Sequence, residues 1–328
     1  MLRKLCVLSS LFLTFTIVSQ AQDSRHFTFH YAFTVKNLPA GKKVRVWMPA
    51  AQSDAYQEVK TVSAKGDLPV KKTRESRFGD EIYFAETNSA TQPELHFDVE
   101  YDVVRRERVA LSSAAHVIPA SLSSTERKED LQPDALVPVT GLPADLAAKV
   151  TQGKTQPLDK ARAIYDYVFT TMKYDKTGTG WGHGDVLYAC DTKKGNCTDF
   201  HSLFIAMARS QGIPTRFEIG FPLPPDKHSA EIAGYHCWSD FYIDGKGWIP
   251  VDISEAWKHP EKHDYFFGSH DVNRVQFSMG RDLRLNPAQD GKPLNYFVYP
   301  YVEVDGQEYS NVSLAFSFSD VAPTVAVK

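Results

Sequence analysis

Three residues of this 328-residue chain have the types and settings for nucleophilic chemistry. Cys197 follows Gly195-Asn196 and opens a segment in which Phe200, Leu203, Phe204 and Met207 recur at helical spacing. A thiol at a helix N-terminus faces free backbone N–H groups and the positive end of the helix dipole, and both stabilise the thiolate. His236, in a strand-like run after the flexible Gly234, is of the type that takes a thiol proton and returns it to a leaving group. Asp252 lies 16 residues beyond His236, with the turn signal Asp244-Gly245 between them. A hairpin centred on Asp244 places His236 and Asp252 directly opposite on one face, about 5 Å apart at Cβ. A carboxylate there can hold the imidazole tautomer. The placement requires an odd-numbered loop, and a two-residue loop at 245–246 breaks it. Taken singly, each residue has a plainer reading: the cysteine as a small buried hydrophobe, the histidine as a structural strand residue.

Four ordered blocks extend the pattern. Gly195-Asn196-Cys197-Thr198-Asp199-Phe200 is followed by Ala208-Arg209-Ser210-Gln211-Gly212-Ile213-Pro214-Thr215-Arg216, then His236-Cys237-Trp238, then Gly247-Trp248-Ile249-Pro250-Val251-Asp252. Together they resemble the transglutaminase-like superfamily over 160–253. The resemblance implies a papain-like core, in which a helix carrying the cysteine packs on an antiparallel sheet carrying the histidine and aspartate. It implies Cys197 as nucleophile, His236 as general base and acid, and Asp252 as orienting carboxylate. The implied reaction is acyl transfer through a thioester, to an amine or to water. Hydrolysis of an amide or peptide is the expectation, because water is the default acceptor and nothing in the sequence specifies an amine. A protein or peptide is the expected substrate, cell-wall peptide among the candidates. The tetrahedral oxyanion needs donors. The Cys197 N–H is one, and Trp181 or Tyr188 offers a side-chain donor from the preceding segment. The alternative is a non-enzymatic binding or assembly module that keeps the cleft; the intact triad argues against it.

Neighbouring residues have blander readings. Asp199 and Phe200 read as first-turn charge and core, Arg216 as structural or cleft-lining, and Trp238 and Trp248 as core. His183, Cys190, Cys197 and His201 fit no standard zinc spacing, and no metal or other cofactor is expected. Cys190 and Cys237 flank the site, and Cys237 points away from His236 in a regular strand. With an odd number of thiols left after export, a Cys190–Cys237 disulfide that keeps Cys197 free is an expectation. Asn196-Cys197-Thr198 matches a glycosylation acceptor, but a glycan beside the nucleophile would obstruct it.

The elements that position these residues divide the chain. Residues 26–33 alternate apolar and polar, the period of a half-buried strand, and 44–47, 81–85 and 95–99 continue the theme between turn clusters. A β-sandwich over 22–112 is expected, then a proline-marked connecting segment over 113–150, then a catalytic domain over 151–328. The fold class is thus α+β. In the last part, Leu158, Ala161, Tyr165, Val168 and Met172 mark one helix after Pro157, and a second starts near Cys197 and stops at Gly212. Strands are expected at 216–221, 235–243, 248–253, 275–278, 296–304 and 314–318. The Gly-rich stretch 178–184 lacks the spacing and lysine of a phosphate loop. At the start, Arg3 and Lys4, an apolar run over 5–18 and Ser19-Gln20-Ala21 read as an export signal over 1–21. The run is short for a span and no later stretch can cross a bilayer, so a secreted or periplasmic chain without a stable membrane span is expected. Removal of the signal takes Cys6 with it and leaves three cysteines. The composition, 42% apolar and 23% charged with net charge -3, is that of a folded globular chain and disfavours a general nucleic-acid binder.

Overall fold

The computed structural model describes residues 23–111 and 121–322. The leader expected over 1–21, with Arg3, Lys4 and Cys6, lies outside the described residues. Two five-stranded sheets form the first layer pair. One runs in the order Ser229–Glu231, Val312–Asp320, Ser24–Val35, Leu95–Arg106, Gln57–Gly66. The other runs Gln307–Glu308, Tyr301–Val304, Val44–Pro49, Glu81–Thr87, Lys71–Arg74. The alternation that marked the first strand puts Phe27, Phe29, Tyr31, Phe33 and Val35 into the core, while the residues between them stay partly exposed. Leu95–Arg106 repeats the pattern beside it, with Phe29 opposite Tyr101.

The sandwich draws on more of the chain than 22–112. Val312–Asp320 pairs along the first strand from Phe27↔Asp320 to Val35↔Val312, and Tyr301–Val304 pairs with Val44–Pro49. The division at 112 and 151 therefore does not separate the strands of these sheets. Without the C-terminal strands, Ser24–Val35 and Val44–Pro49 would each present an open edge of unpaired backbone groups. Of the run 296–304, only Tyr301–Val304 forms a strand.

A four-stranded antiparallel sheet follows in the order Gly247–Val251, His236–Ile243, Thr215–Pro222, Arg274–Met279. The helix Cys197–Ser210 packs across it, against His236–Ile243 and Thr215–Pro222. This helix is buried on every side from Cys197 to Arg209, not along one stripe, because the helices Leu142–Val150 and Val186–Thr192 and a third, covering helix, Pro157–Thr171, close over its outer surface. The covering helix buries Ala161, Ile164, Tyr165 and Val168. The sandwich and the helix-backed sheet share aromatic packing. Phe221 and Phe277 of the four-stranded sheet lie 5.2 and 5.6 Å from Phe29, and Tyr31 stacks on Phe277 at 5.5 Å.

Candidate active site

Cys197 is the first residue of its helix. Its helix is started by a capping box, in which the Asn196 side chain accepts from the backbone and the Asp199 carboxylate accepts from the Asn196 N–H at 2.9 Å. As the first helical residue, Cys197 has an N–H with no intrahelical acceptor. The same Asp199 carboxylate accepts the Gly182 N–H at 2.7 Å and the Gly184 N–H at 3.0 Å. Asp199 is thus the clasp that folds the Gly-rich stretch onto the start of the helix. Gly184 is required there: its φ is 62°, and a Cβ would come within 2.3 Å of the Ser202 hydroxyl.

His236 and Asp252 meet, but not as a directly opposite pair. The hairpin register pairs Ile243 with Gly247 and Ser239 with Val251, so the loop has three residues and is centred on Gly245. The Lys246 N–H closes the turn on the Ile243 carbonyl at 2.9 Å, and Gly245 takes the positive φ, 76°, that the turn requires. The centre expected at Asp244 is therefore displaced by one residue and the pairing by two. An even displacement preserves the face, so the two side chains still converge diagonally. His236 Nε2 lies 2.7 Å from Asp252 Oδ2. Asp252 has by then left the strand and caps the short helix Ile253–Lys258, its Oδ1 accepting the Glu255 N–H at 3.1 Å and the Ser254 hydroxyl at 3.2 Å. Arg274 Nη1 donates to Asp252 Oδ2 at 2.9 Å. The carboxylate is fully engaged and cannot turn away from the imidazole.

With Nε2 facing Asp252, the other ring nitrogen is left for the Cys197 thiol, and the two groups shift one another's protonation. Cys197 is 2% exposed, His236 4% and Asp252 0%, so partners and not solvent set their protonation. Burial opposes a charge on Cys197, but hydrogen bonds from Cys237 and His236 and the imidazolium charge prevail, and the thiol is held well below its ordinary range. Burial likewise opposes the His236 charge. The charge and hydrogen bond of Asp252, with Cys197, outweigh it and push the imidazole up to about 10. Asp252 is held well below the carboxylate range, against its burial, by His236 and Arg274. The arrangement favours a thiolate–imidazolium pair at neutral pH.

The other expected residues divide. Trp181 donates its indole N–H to the Gly178 carbonyl at 3.1 Å, so that donor is occupied within its own loop. Tyr188 packs its ring against Gly180, and its hydroxyl is buried without a hydrogen-bond partner among the described residues. Cys190 and Cys237 are both free thiols, which corrects the expected disulfide. Cys237 faces the helix start, with Sγ 3.7 Å from Thr198 Oγ1 and 3.9 Å from His201 Nδ1. Asn196 is buried and donates to the Tyr235 hydroxyl at 3.0 Å, so its side chain has a structural task. That hydroxyl also contacts Thr198 Oγ1 at 2.9 Å, which ties the strand beside His236 to the helix beside Cys197. Tyr235, Arg274, His201 and the clasp formed by Asp199 carried no local signal, because their partners lie on other elements.

The comparisons match this core. Residues 144–253 match the family model described as the transglutaminase-like superfamily. An uncharacterised protein of Haemophilus influenzae is 28% identical over 316 residues, covering 85% of both chains. The uncharacterised YebA of Bacillus subtilis is 26% identical over 129 residues, covering 35% of this chain and 18% of its own. Among solved structures, a candidate cysteine protease from Cytophaga hutchinsonii is similar at a TM-score of 0.58 with 16% identity, covering 92% of each chain, and shares the fold.

Proposed function

Because residues 144–253 belong to the transglutaminase-like superfamily, we propose that this protein is a thiol enzyme that hydrolyses an amide or peptide bond through a thioester on Cys197. Members of the superfamily are typically cysteine hydrolases or acyltransferases. The observation that carries the proposal is the buried chain from the Cys197 thiol through His236 to Asp252, with 2.7 Å between imidazole and carboxylate. The Cys197 thiolate adds to the acyl carbon, and the carbonyl oxygen becomes an oxyanion beside the Cys197 N–H and the helix dipole. His236 gives its Nδ1 proton to the departing nitrogen, and the C–N bond breaks to leave a thioester and a free amine. Neutral His236 then takes a proton from water, whose oxygen attacks the thioester. Collapse releases the carboxylic acid and restores the thiolate–imidazolium pair.

The substrate is a protein or peptide in this reading. The export-like 1–21 supports action outside the cytosol, where cell-wall peptide is one candidate. Product analysis on a panel of peptides and amides tests the reaction. The wild type is expected to release acid and amine, and Cys197→Ala neither. Adducts with added primary amine would assign transferase activity instead, and equal turnover by both proteins would sink the role of Cys197.

A further inference from the structure

His201 is buried completely, one helical turn after Cys197. Both of its ring nitrogens are engaged. The Ile253 N–H donates to Nε2 at 3.0 Å, which fixes the proton on Nδ1. Nδ1 lies 2.7 Å from the carbonyl oxygen of Cys197 and donates to it. One imidazole therefore joins the backbone of the candidate nucleophile to the backbone of the residue that follows Asp252. It lies parallel to the other link between the same two places, Cys197 to His236 to Asp252.

We infer that His201 is a positioning residue, a neutral imidazole strut that fixes the spacing between the first turn of the Cys197 helix and the turn holding Asp252. The inference rests on the acyl-transfer reading above. The groups facing the ring are Cys197, Cys237 and His236, with Asp252 Oδ1 at 3.7 Å from Nε2. Burial disfavours a charged ring and prevails over the attraction of Asp252 and Cys197, so His201 is held below the usual histidine range. A protonated His201 would lose the Ile253 bond, since Nε2 would no longer accept. The side chain acts on the reaction only through what it holds: it touches the Cys197 carbonyl and not the thiol by hydrogen bond.

The test is the pH profile of Cys197 alkylation by iodoacetamide, mapped to that residue by mass spectrometry, in the full chain. His201→Phe keeps a ring of similar size and removes both bonds. It is expected to slow alkylation ~10–100-fold near neutral pH and move the profile upward, because the thiol and the imidazolium no longer sit in register. His201→Asn, which restores a donor toward the Cys197 carbonyl, is expected to recover part of the rate. Profiles that superpose on wild type in both folded variants would overturn the inference, even if their melting temperatures fell. Nitrogen NMR of the wild type is a check that needs no variant. It is expected to show His201 as the Nδ1–H tautomer, taking a second proton only below the usual histidine range; an Nε2–H tautomer or a titration within that usual range would also overturn it. Failure of the parent reading looks different: wild-type Cys197 would alkylate no faster than a free thiol, and His236→Ala would change nothing.

Discussion

His236 owes its high affinity for a proton chiefly to the Asp252 carboxylate, with a further share from Cys197, and this gives the site a defined pH window. The thiolate–imidazolium pair forms above the depressed range of Cys197 and is lost as His236 deprotonates at about 10. On a cleaved substrate kcat/KM is expected to hold a plateau through neutral pH and fall on the alkaline side near 10, where the general acid is lost, while the rate of Cys197 alkylation, which needs only the thiolate, holds its plateau. Asp252→Asn removes the charge that raises His236, so the alkaline fall is expected to move toward the ordinary histidine range of 6.5. An alkaline limb that stays in place would reject the coupling. A binding module with an unused cleft predicts no plateau, only the rise of an ordinary thiol. The stabilising effect of the raised His236 has its own sign: fully present below about 6.5 and lost as pH rises through about 10. The types and spacing of Cys197, His236 and Asp252 were legible because each sits in a short local pattern. Arg274, which shares the Asp252 oxygen, was not, since 22 residues and a loop separate them.

At the scale of elements, the same contrast holds for registers and clasps. The helix at Cys197 and its stop at Gly212 could be read from periodicity and capping, and the hairpin from Asp244-Gly245. Its register could not, because a turn signal marks a loop without fixing which residue is central. Parity was enough to bring His236 and Asp252 to one face, since an even slip preserves the side of the sheet. Asp199 shows the opposite failure. It reads as an ordinary first-turn carboxylate, yet it accepts backbone N–H groups from Gly182, Gly184 and Asn196. Asp199→Ala leaves these buried donors without an acceptor. Chemical denaturation is expected to show a loss of roughly 2–4 kcal/mol, at about 1–3 kcal/mol for each donor stranded and with partial rescue by water. A loss below about 0.5 kcal/mol, the range of an ordinary surface substitution, would show that the Gly-rich stretch does not depend on the clasp.

Across the described residues, the sandwich and the helix-backed sheet share one continuous apolar core. Phe277 of the latter touches Phe29, Tyr31 and Tyr101 of the former, and Phe221 packs on Phe316 at 4.6 Å. Arg108 adds a polar tie, donating to Asp240 of the four-stranded sheet at 2.8 Å. Phe277→Ala is expected to cost about 3–5 kcal/mol and to lower one common unfolding transition, followed by tryptophan fluorescence and circular dichroism together. Two separated transitions, with only one of them shifted, would show that the halves melt independently. The α+β class and the two kinds of layer were readable from hydrophobic period. The return of 301–304 and 312–320 to the first sheets was not, because a strand pattern does not name its partner.

That return has a consequence for how the chain is made. Ser24–Val35 lies between Leu95–Arg106 and Val312–Asp320, with Phe27 facing Asp320 across a separation of almost the entire polypeptide. A chain emerging from its N-terminus offers this strand long before its second neighbour. The sheet stays open on one side until 312–320 has been made, so the closing step is a slow, non-local one. Until then the unpaired edge is a template for any extended segment, and a holding chaperone or passage across a membrane as an unfolded chain would keep it from the wrong partner.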